Sequence, residues 1–219
     1  MQQATIIGHR GAKGHKENTV PSFEHALSQG ADGVELDVRR SGDGKLVVVH
    51  SSVSGRRSVP STPYAEFRDL GDGYEIPLFE EVLKRFSGRA FLDIELKEPG
   101  FEEQAIELIQ AHADISKTMI SGFHTKMLNK VHDLLPDIQL GFIFNRTQDE
   151  ETRFNSPIDF VIPQFRLASR NFIEEVHDED LKVLAWTVNS ESEMRRLLAL
   201  NVDGIITDEP GLLATVLGR

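Results

Sequence analysis

Eight short apolar runs, each bounded by Gly, Pro or Asp, punctuate the chain at 5–8, 33–39, 90–96, 117–121, 138–144, 159–163, 182–187 and 204–206. Between them, apolar residues recur at helical spacing near 19–29, 77–86, 102–113, 125–134, 170–178, 191–200 and 210–217. Side chains change face at every residue of a strand, whereas on a helix they return to one face about every 3.6 residues, so the two patterns are separable by eye. Strand then helix, repeated about eight times, predicts an α/β fold with a parallel sheet. Eight strands in roughly 200 residues predict closure into a (β/α)8 TIM barrel. A doubly wound open sheet is the competing arrangement of the same elements.

The length of 219 residues suits a single barrel domain spanning 1–219. Two places break the rhythm. Asp43-Gly44, between Val38-Arg39-Arg40 and the run Leu46 to Val49, reads as a hairpin turn that adds a short antiparallel strand after the second strand, ending at His50. Residues 51–76, with Ser51-Ser52, Ser54-Gly55 and Gly71-Asp72-Gly73, read as a polar loop over the barrel mouth. The polar stretch 145–158 is expected to carry only a short helix.

The second strand also holds charge where a buried strand should be apolar. In Gly33-Val34-Glu35-Leu36-Asp37-Val38, the alternation sends Glu35 and Asp37 to one face and Val34, Leu36 and Val38 to the other. The pattern returns in Phe91-Leu92-Asp93-Ile94-Glu95-Leu96-Lys97, where Asp93, Glu95 and Lys97 share a face. Neighbouring buried carboxylates repel and lose hydration, a cost that a cation relieves. Glu35, Asp37 and Glu95 are therefore candidate ligands of a divalent cation, Mg2+ or Ca2+, with Lys97 beside a bound anion. Exposed edge strands, or an internal Asp93–Lys97 ion pair, would produce the same pattern. The chain has no cysteine, which excludes disulfides, thiolate metal sites and a cysteine nucleophile.

The first strand ends in His9-Arg10-Gly11, and the added strand ends in His50. Strand C-termini form the mouth at which barrel active sites are built. There Arg10 offers a planar fork for phosphate oxygens, and two histidines offer an acid/base pair. The 35 acidic against 24 basic residues leave a formal charge of −11, which excludes a broad nucleic-acid-binding surface. No apolar run approaches the ~18 residues that cross a bilayer, and the N-terminus lacks a signal-peptide pattern, so the cytoplasm is the expected address. Homo-oligomerisation is left open.

His9-Arg10-Gly11, Glu17-Asn18-Thr19, Glu35-Leu36-Asp37, His50, Glu95-Leu96-Lys97, Trp186-Thr187-Val188-Asn189 and Asp203 to Pro210 together resemble the glycerophosphodiester phosphodiesterase family in order and spacing. The resemblance runs over nearly the whole chain. It implies a TIM barrel that uses a divalent cation to hydrolyse a small-molecule glycerophosphodiester to sn-glycerol 3-phosphate and an alcohol. It also implies metal binding by Glu35, Asp37 and Glu95, proton transfer by His9 and His50, and phosphate binding by Arg10 and Lys97. The family usually has Asp directly after the second histidine, and here Ser51 stands there.

Trp186, the single tryptophan, would pack against the glycerol carbons or belong to the core, and Phe123 has a similar position. Asn18 or Thr19 reads as a helix cap, with substrate contact as the alternative and Glu17 able to buttress His9 or Arg10. Asp208 reads as the cap of the last helix, outside the site, and His177 as a solvated residue. Three other functions fit parts of the pattern: a phospholipase D-like enzyme acting on lysolipids, a barrel that binds a phosphodiester without cleaving it, and a Schiff-base aldolase on Lys97. A lysine beside carboxylates stays protonated and is a poor nucleophile, which disfavours the last.

Overall fold

A computed structural model describes residues 4–146 and 156–219. Its strands are β1 (Thr5–Gly8), β2 (Gly33–Arg40), β3 (Leu46–Val48), β4 (Val53–Ser54), β5 (Arg57–Ser58), β6 (Asp69–Gly71), β7 (Tyr74–Glu75), β8 (Phe91–Leu96), β9 (Thr118–Gly122), β10 (Gln139–Phe144), β11 (Phe160–Pro163), β12 (Lys182–Ala185) and β13 (Gly204–Thr207). The α-helices are α1 (Val20–Ser28), α2 (Phe79–Phe86), α3 (Glu102–His112), α4 (Thr125–Leu134), α5 (Arg170–Asp178), α6 (Glu191–Leu198) and α7 (Pro210–Leu217). In the main sheet β1 pairs with β13 on one side and β2 on the other, and every pairing is parallel except that of β2 with β3. The sheet is therefore a closed eight-stranded parallel barrel, and the doubly wound alternative is excluded. Most of the stretch 145–158 lies outside the described residues.

Alternation along the strands sorts side chains into two cores. Val34, Leu36, Val38, Leu92, Ile94 and Leu96 face outward and pack with Phe23, Phe79, Leu83 and Phe86 of the surrounding helices. Ile7, Met119, Ile143, Phe160, Ile162, Leu184 and Ile206 fill the barrel interior. Each such side chain contributes about 1.5–3 kcal/mol on burial. The interior layer is mostly apolar along β9 to β13 and β1, where Ser121 of β9 is a buried polar exception, and acidic along β2 and β8.

The N-terminal rim is tied by aspartates. Asp32, Asp159 and Asp203 each accept a backbone N–H at 2.8 Å, from Ile6, Leu140 and Val183 respectively. His177 is not simply solvated: its Nε2 lies 2.9 Å from Asp203 Oδ2. The C-terminal Arg219 reaches across the same rim to Asp32.

The 51–76 segment is more ordered than a polar loop. It holds the two short hairpins β4–β5 and β6–β7 and two 3-10 turns, and Val59, Tyr64, Phe67 and Ile76 form an apolar cluster on Val47. Tyr64 is buried with its hydroxyl donating to Ile76 O at 2.7 Å, so the sparse apolar residues of a Ser-rich and Gly-rich segment suffice to fix it. The β6–β7 hairpin contacts the loop after β1, where His15 Nδ1 lies 2.9 Å from the Tyr74 hydroxyl. Among the described residues, no helix is long and apolar enough to cross a membrane.

Candidate functional site

β2 and β8 are neighbours with Glu35 opposite Asp93 and Asp37 opposite Glu95. All four side chains point into the barrel and are buried. Carboxylate oxygens of Glu35, Asp37 and Glu95 lie within 4.8 Å of one another. Two cations approach them. Lys97 Nζ is 2.5 Å from Glu95 Oε1 and 3.1 Å from Asp37 Oδ1. Arg10 Nε is 3.1 Å from Asp37 Oδ2, close enough to pair but not aligned as a hydrogen bond. The alternative Asp93–Lys97 pair does not form: Lys97 takes the two carboxylates nearer the mouth, and Asp93 accepts from Ser121 Oγ at 2.6 Å.

The loop 9–19 delivers hydrogen-bond donors to these carboxylates. Arg10 has φ of 52°, which turns its backbone N–H toward Glu35 Oε2, 2.8 Å away. Gly11 follows with φ of 96°, and a Cβ there would lie 2.0 Å from Ser22 Oγ, so only glycine permits the loop to seat on α1. Thr19 is the cap of α1. Asn18, the other residue read as a cap, instead donates from Nδ2 to Asp37 Oδ2 at 2.7 Å and accepts the Asp37 N–H at 3.1 Å. Glu17 holds the Arg10 guanidinium at 3.0 Å.

Electrostatics divide the carboxyls. Burial, then repulsion from Asp37 and Glu95, pushes Glu35 well above the ordinary carboxylate range. Burial also lifts Asp93 to about 7, with Ser121 opposing and Glu95 adding to the rise. Glu95 is raised to about 7 by burial and Asp37, against Lys97. Asp37 goes the other way: burial would raise it, but Lys97, Arg10 and Asn18 outweigh burial and hold it low. Lys97 and Arg10 are raised because these carboxylates outweigh their own burial.

The histidines differ in their support. His9 Nδ1 lies 2.7 Å from Asp208 Oδ1, and Asn189 Nδ2 donates to Asp208 Oδ2 at 2.5 Å. Asp208 is thus a member of the site and not a helix cap: the cap position of α7 is Glu209, which makes no side-chain capping bond. Among the described residues the His50 ring has no hydrogen-bond partner. Burial lowers its pKa, with Asp37 opposing and Arg10 and Lys97 assisting. Ser51 Oγ accepts from Val53 N–H at 3.1 Å and serves its own loop.

These groups open onto a cavity of about 140 Å³ lined by His9, Arg10, Glu35, His50, Glu95 and Lys97, with Trp186 and Phe123 among its remaining walls. Trp186 Nε1 donates to Ile162 O at 2.9 Å, which fixes a ring packed edge-on against Phe123, centroids 5.9 Å apart. A larger cavity of about 1000 Å³ opens at the opposite end, beside Thr5, Phe91, Gln139 and Lys182. It holds none of the clustered carboxylates, and that end of a barrel serves stability.

The donor set suits a hard divalent cation. Four buried carboxyls face two cationic side chains, Asp93 Oδ2 has no hydrogen-bond partner, and only oxygen ligands converge. His9, Arg10, Glu35, Asp37, His50, Glu95, Lys97 and Trp186 are all brought to this one mouth. Asn18, Asn189 and Asp208, which stand in the quoted motifs without being assigned to the site, join them. For Asp208 a signal existed, since it directly follows a strand end at the mouth.

Residues 9–212 match a family model described as the glycerophosphoryl diester phosphodiesterase family. The sequence is 34% identical over 232 residues, 94% of each chain, to a Bacillus altitudinis protein named glycerophosphodiester phosphodiesterase. It is 30% identical over 244 residues, 98% of each chain, to one of the same name from Caldanaerobacter subterraneus subsp. tengcongensis. The fold is similar to an Oleispira antarctica phosphodiesterase solved in complex with the product sn-glycerol-3-phosphate, with TM-score 0.90, 25% identity and coverage of 99% and 98% of the two chains.

Proposed function

Because this chain belongs to the glycerophosphoryl diester phosphodiesterase family and is a phosphoric diester hydrolase, we propose that it hydrolyses glycerophosphodiesters to sn-glycerol 3-phosphate and an alcohol, using a divalent cation and the pair His9 and His50. The observation that carries this reading is the convergence of Glu35, Asp37 and Glu95 beneath two imidazoles, Arg10 and Lys97 at one small cavity.

Glu35, Asp37 and Glu95 would hold the cation, which when bound neutralises charge gathering on the phosphoryl oxygens. Arg10 and Lys97 bind the nonbridging oxygens and stabilise the same charge. The glycerol hydroxyl next to the phosphate attacks phosphorus as one imidazole takes its proton, and the P–O bond to the head-group alcohol breaks as the other imidazole supplies a proton. Water then adds to the phosphorus of the cyclic phosphate with the two roles reversed, and the P–O bond to the glycerol hydroxyl that attacked breaks as that oxygen takes a proton, which leaves sn-glycerol 3-phosphate. Each proton transfer is worth roughly 10²- to 10⁴-fold. Asp208 stabilises the His9 imidazolium whenever it forms, and Trp186 packs on the glycerol carbons.

Release of sn-glycerol 3-phosphate from glycerophosphocholine, followed with Mg2+ or Ca2+ and again with a chelator, tests the proposal. Activity is expected to vanish with the chelator and to return on adding the ion. Glu35→Gln is expected to lower kcat by roughly 10²-fold or more. Turnover that survives both treatments would overturn it.

A further inference from the structure

His50 is poorly anchored for a group asked to move a proton. β3 ends at Val48, and the last bond from this run to the barrel is Val49 N–H to Asp37 O at 2.9 Å. Beyond it the chain enters the 51–76 segment, whose next backbone bond, Val59 N–H to Ser52 O at 2.8 Å, is internal to that segment. Among the described residues the ring has no hydrogen-bond partner, and Ser51 is turned to Val53. One side chain among the described residues hydrogen-bonds to His50: Arg39 Nε donates to the His50 carbonyl at 2.8 Å.

Arg39 is well placed to act as a brace. It stands two residues after Asp37 on β2, hence on the same face as the acidic ligands. Its side chain is only 15% exposed, and Nη1 pairs with Glu98, the residue after Lys97. A guanidinium presents several donors in a fixed fork and so satisfies a carbonyl and a carboxylate together, which an ammonium on a flexible stem does less well. An exposed Arg–Glu pair is worth little, but this one joins the strand bearing Asp37, the end of the strand bearing Glu95, and the backbone of His50. We propose that Arg39, held by Glu98, is the positioning residue that sets the His50 ring relative to the carboxylate cluster.

The proposal rests on the reading of His50 as a proton-transfer group, and a double-mutant cycle on glycerophosphocholine separates the two. Arg39→Met is expected to lower kcat by roughly 10- to 100-fold with KM changed less than about twofold, because misplacement of a reacting group by about 1 Å is that costly. Arg39→Lys should recover part of the loss, and Glu98→Gln should lower kcat in the same direction. On a His50→Ala background, Arg39→Met should cost nothing further, since its effect runs through the ring already removed. A full additional loss on that background, or a rise in KM in place of a fall in kcat, overturns the brace. A His50→Ala enzyme with wild-type kcat overturns the reading of His50 itself. If Arg39→Met does not fold, Arg39→Lys and Glu98→Gln carry the test, and unchanged kcat in both rejects the proposal.

Discussion

Asp208 shows how much one side chain of this site does. Burial would raise its carboxyl, yet the hydrogen bonds from His9 and Asn189 hold it below the ordinary range, so it stays anionic wherever the enzyme is folded near neutrality. Asp208→Asn keeps the shape but replaces the anion with an amide, which supports an imidazolium less and can present a donor to the wrong ring tautomer. Its expected effect is a fall in kcat of roughly 10²-fold or more at unchanged melting temperature, and steady-state kinetics beside thermal melts check it. Asn18 is a second residue of this kind. Its φ of 57° and its two bonds to Asp37 are properties of a turn that reads as an ordinary cap in sequence. Asn and Asp adopt both roles, and only the neighbour across space distinguishes them.

At the scale of elements, the β2–β8 pair decides the site, because its register sets Glu35 beside Asp93 and Asp37 beside Glu95. Gly33 lets that register form: a Cβ at this position would meet Phe91 O at 2.4 Å and Phe91 Cβ at 2.8 Å. Gly33→Ala is expected to destabilise the fold by about 1–3 kcal/mol, with loss of activity, as read by chemical denaturation and turnover. The helices outside hold the same pair in place. Phe86 of α2 is fully buried and meets Phe23 of α1 edge-on with centroids 5.6 Å apart. Phe86→Ala should cost about 3–5 kcal/mol, again by denaturation, through lost burial and the cavity left behind. The inward face of β2 and β8 was legible in the sequence from alternation. The partners of that face, Ser121 for Asp93 and Asn18 for Asp37, were not, because they come from segments 28 and 19 residues away.

For the whole molecule, the acidic interior sets how stability depends on pH. Glu35, Asp93 and Glu95 have folded values above the ordinary carboxylate range, so the folded protein binds more protons than the unfolded chain between about pH 4.5 and 7. Stability without a cation is therefore full below the unfolded values and is lost as pH rises through the folded ones. Asp37, Asp208 and His50 act in the opposite sense: the two aspartates do so below the ordinary carboxylate values, and His50, lowered by burial, does so just below pH 6.5 as one group against three. Melting in a chelator is expected to fall from about pH 5 to about pH 8, and added Mg2+ or Ca2+ should raise the melting temperature more at the upper pH. A melting temperature that rises over this range, or a cation effect independent of pH, would contradict the assignment.

Strand and helix order, the two acidic strand faces and the residues at strand ends could be read from the chain alone, whereas closure into a barrel in place of an open doubly wound sheet could not. Periodicity and strand termini are local properties of the chain, and a buried face that carries charge is conspicuous within six residues. Which neighbour each charge meets depends on the closed fold. Closure of β1 on β2 and β13 brought Arg10 to Asp37 and Asp208 to His9, contacts between residues 27 and 199 positions apart. It likewise packed a polar-looking segment around Tyr64, and left His50 held through its backbone by Arg39. Such contacts depend on the barrel's circumference and on the loops that cross its rim, and neither quantity is written in any local stretch of residues.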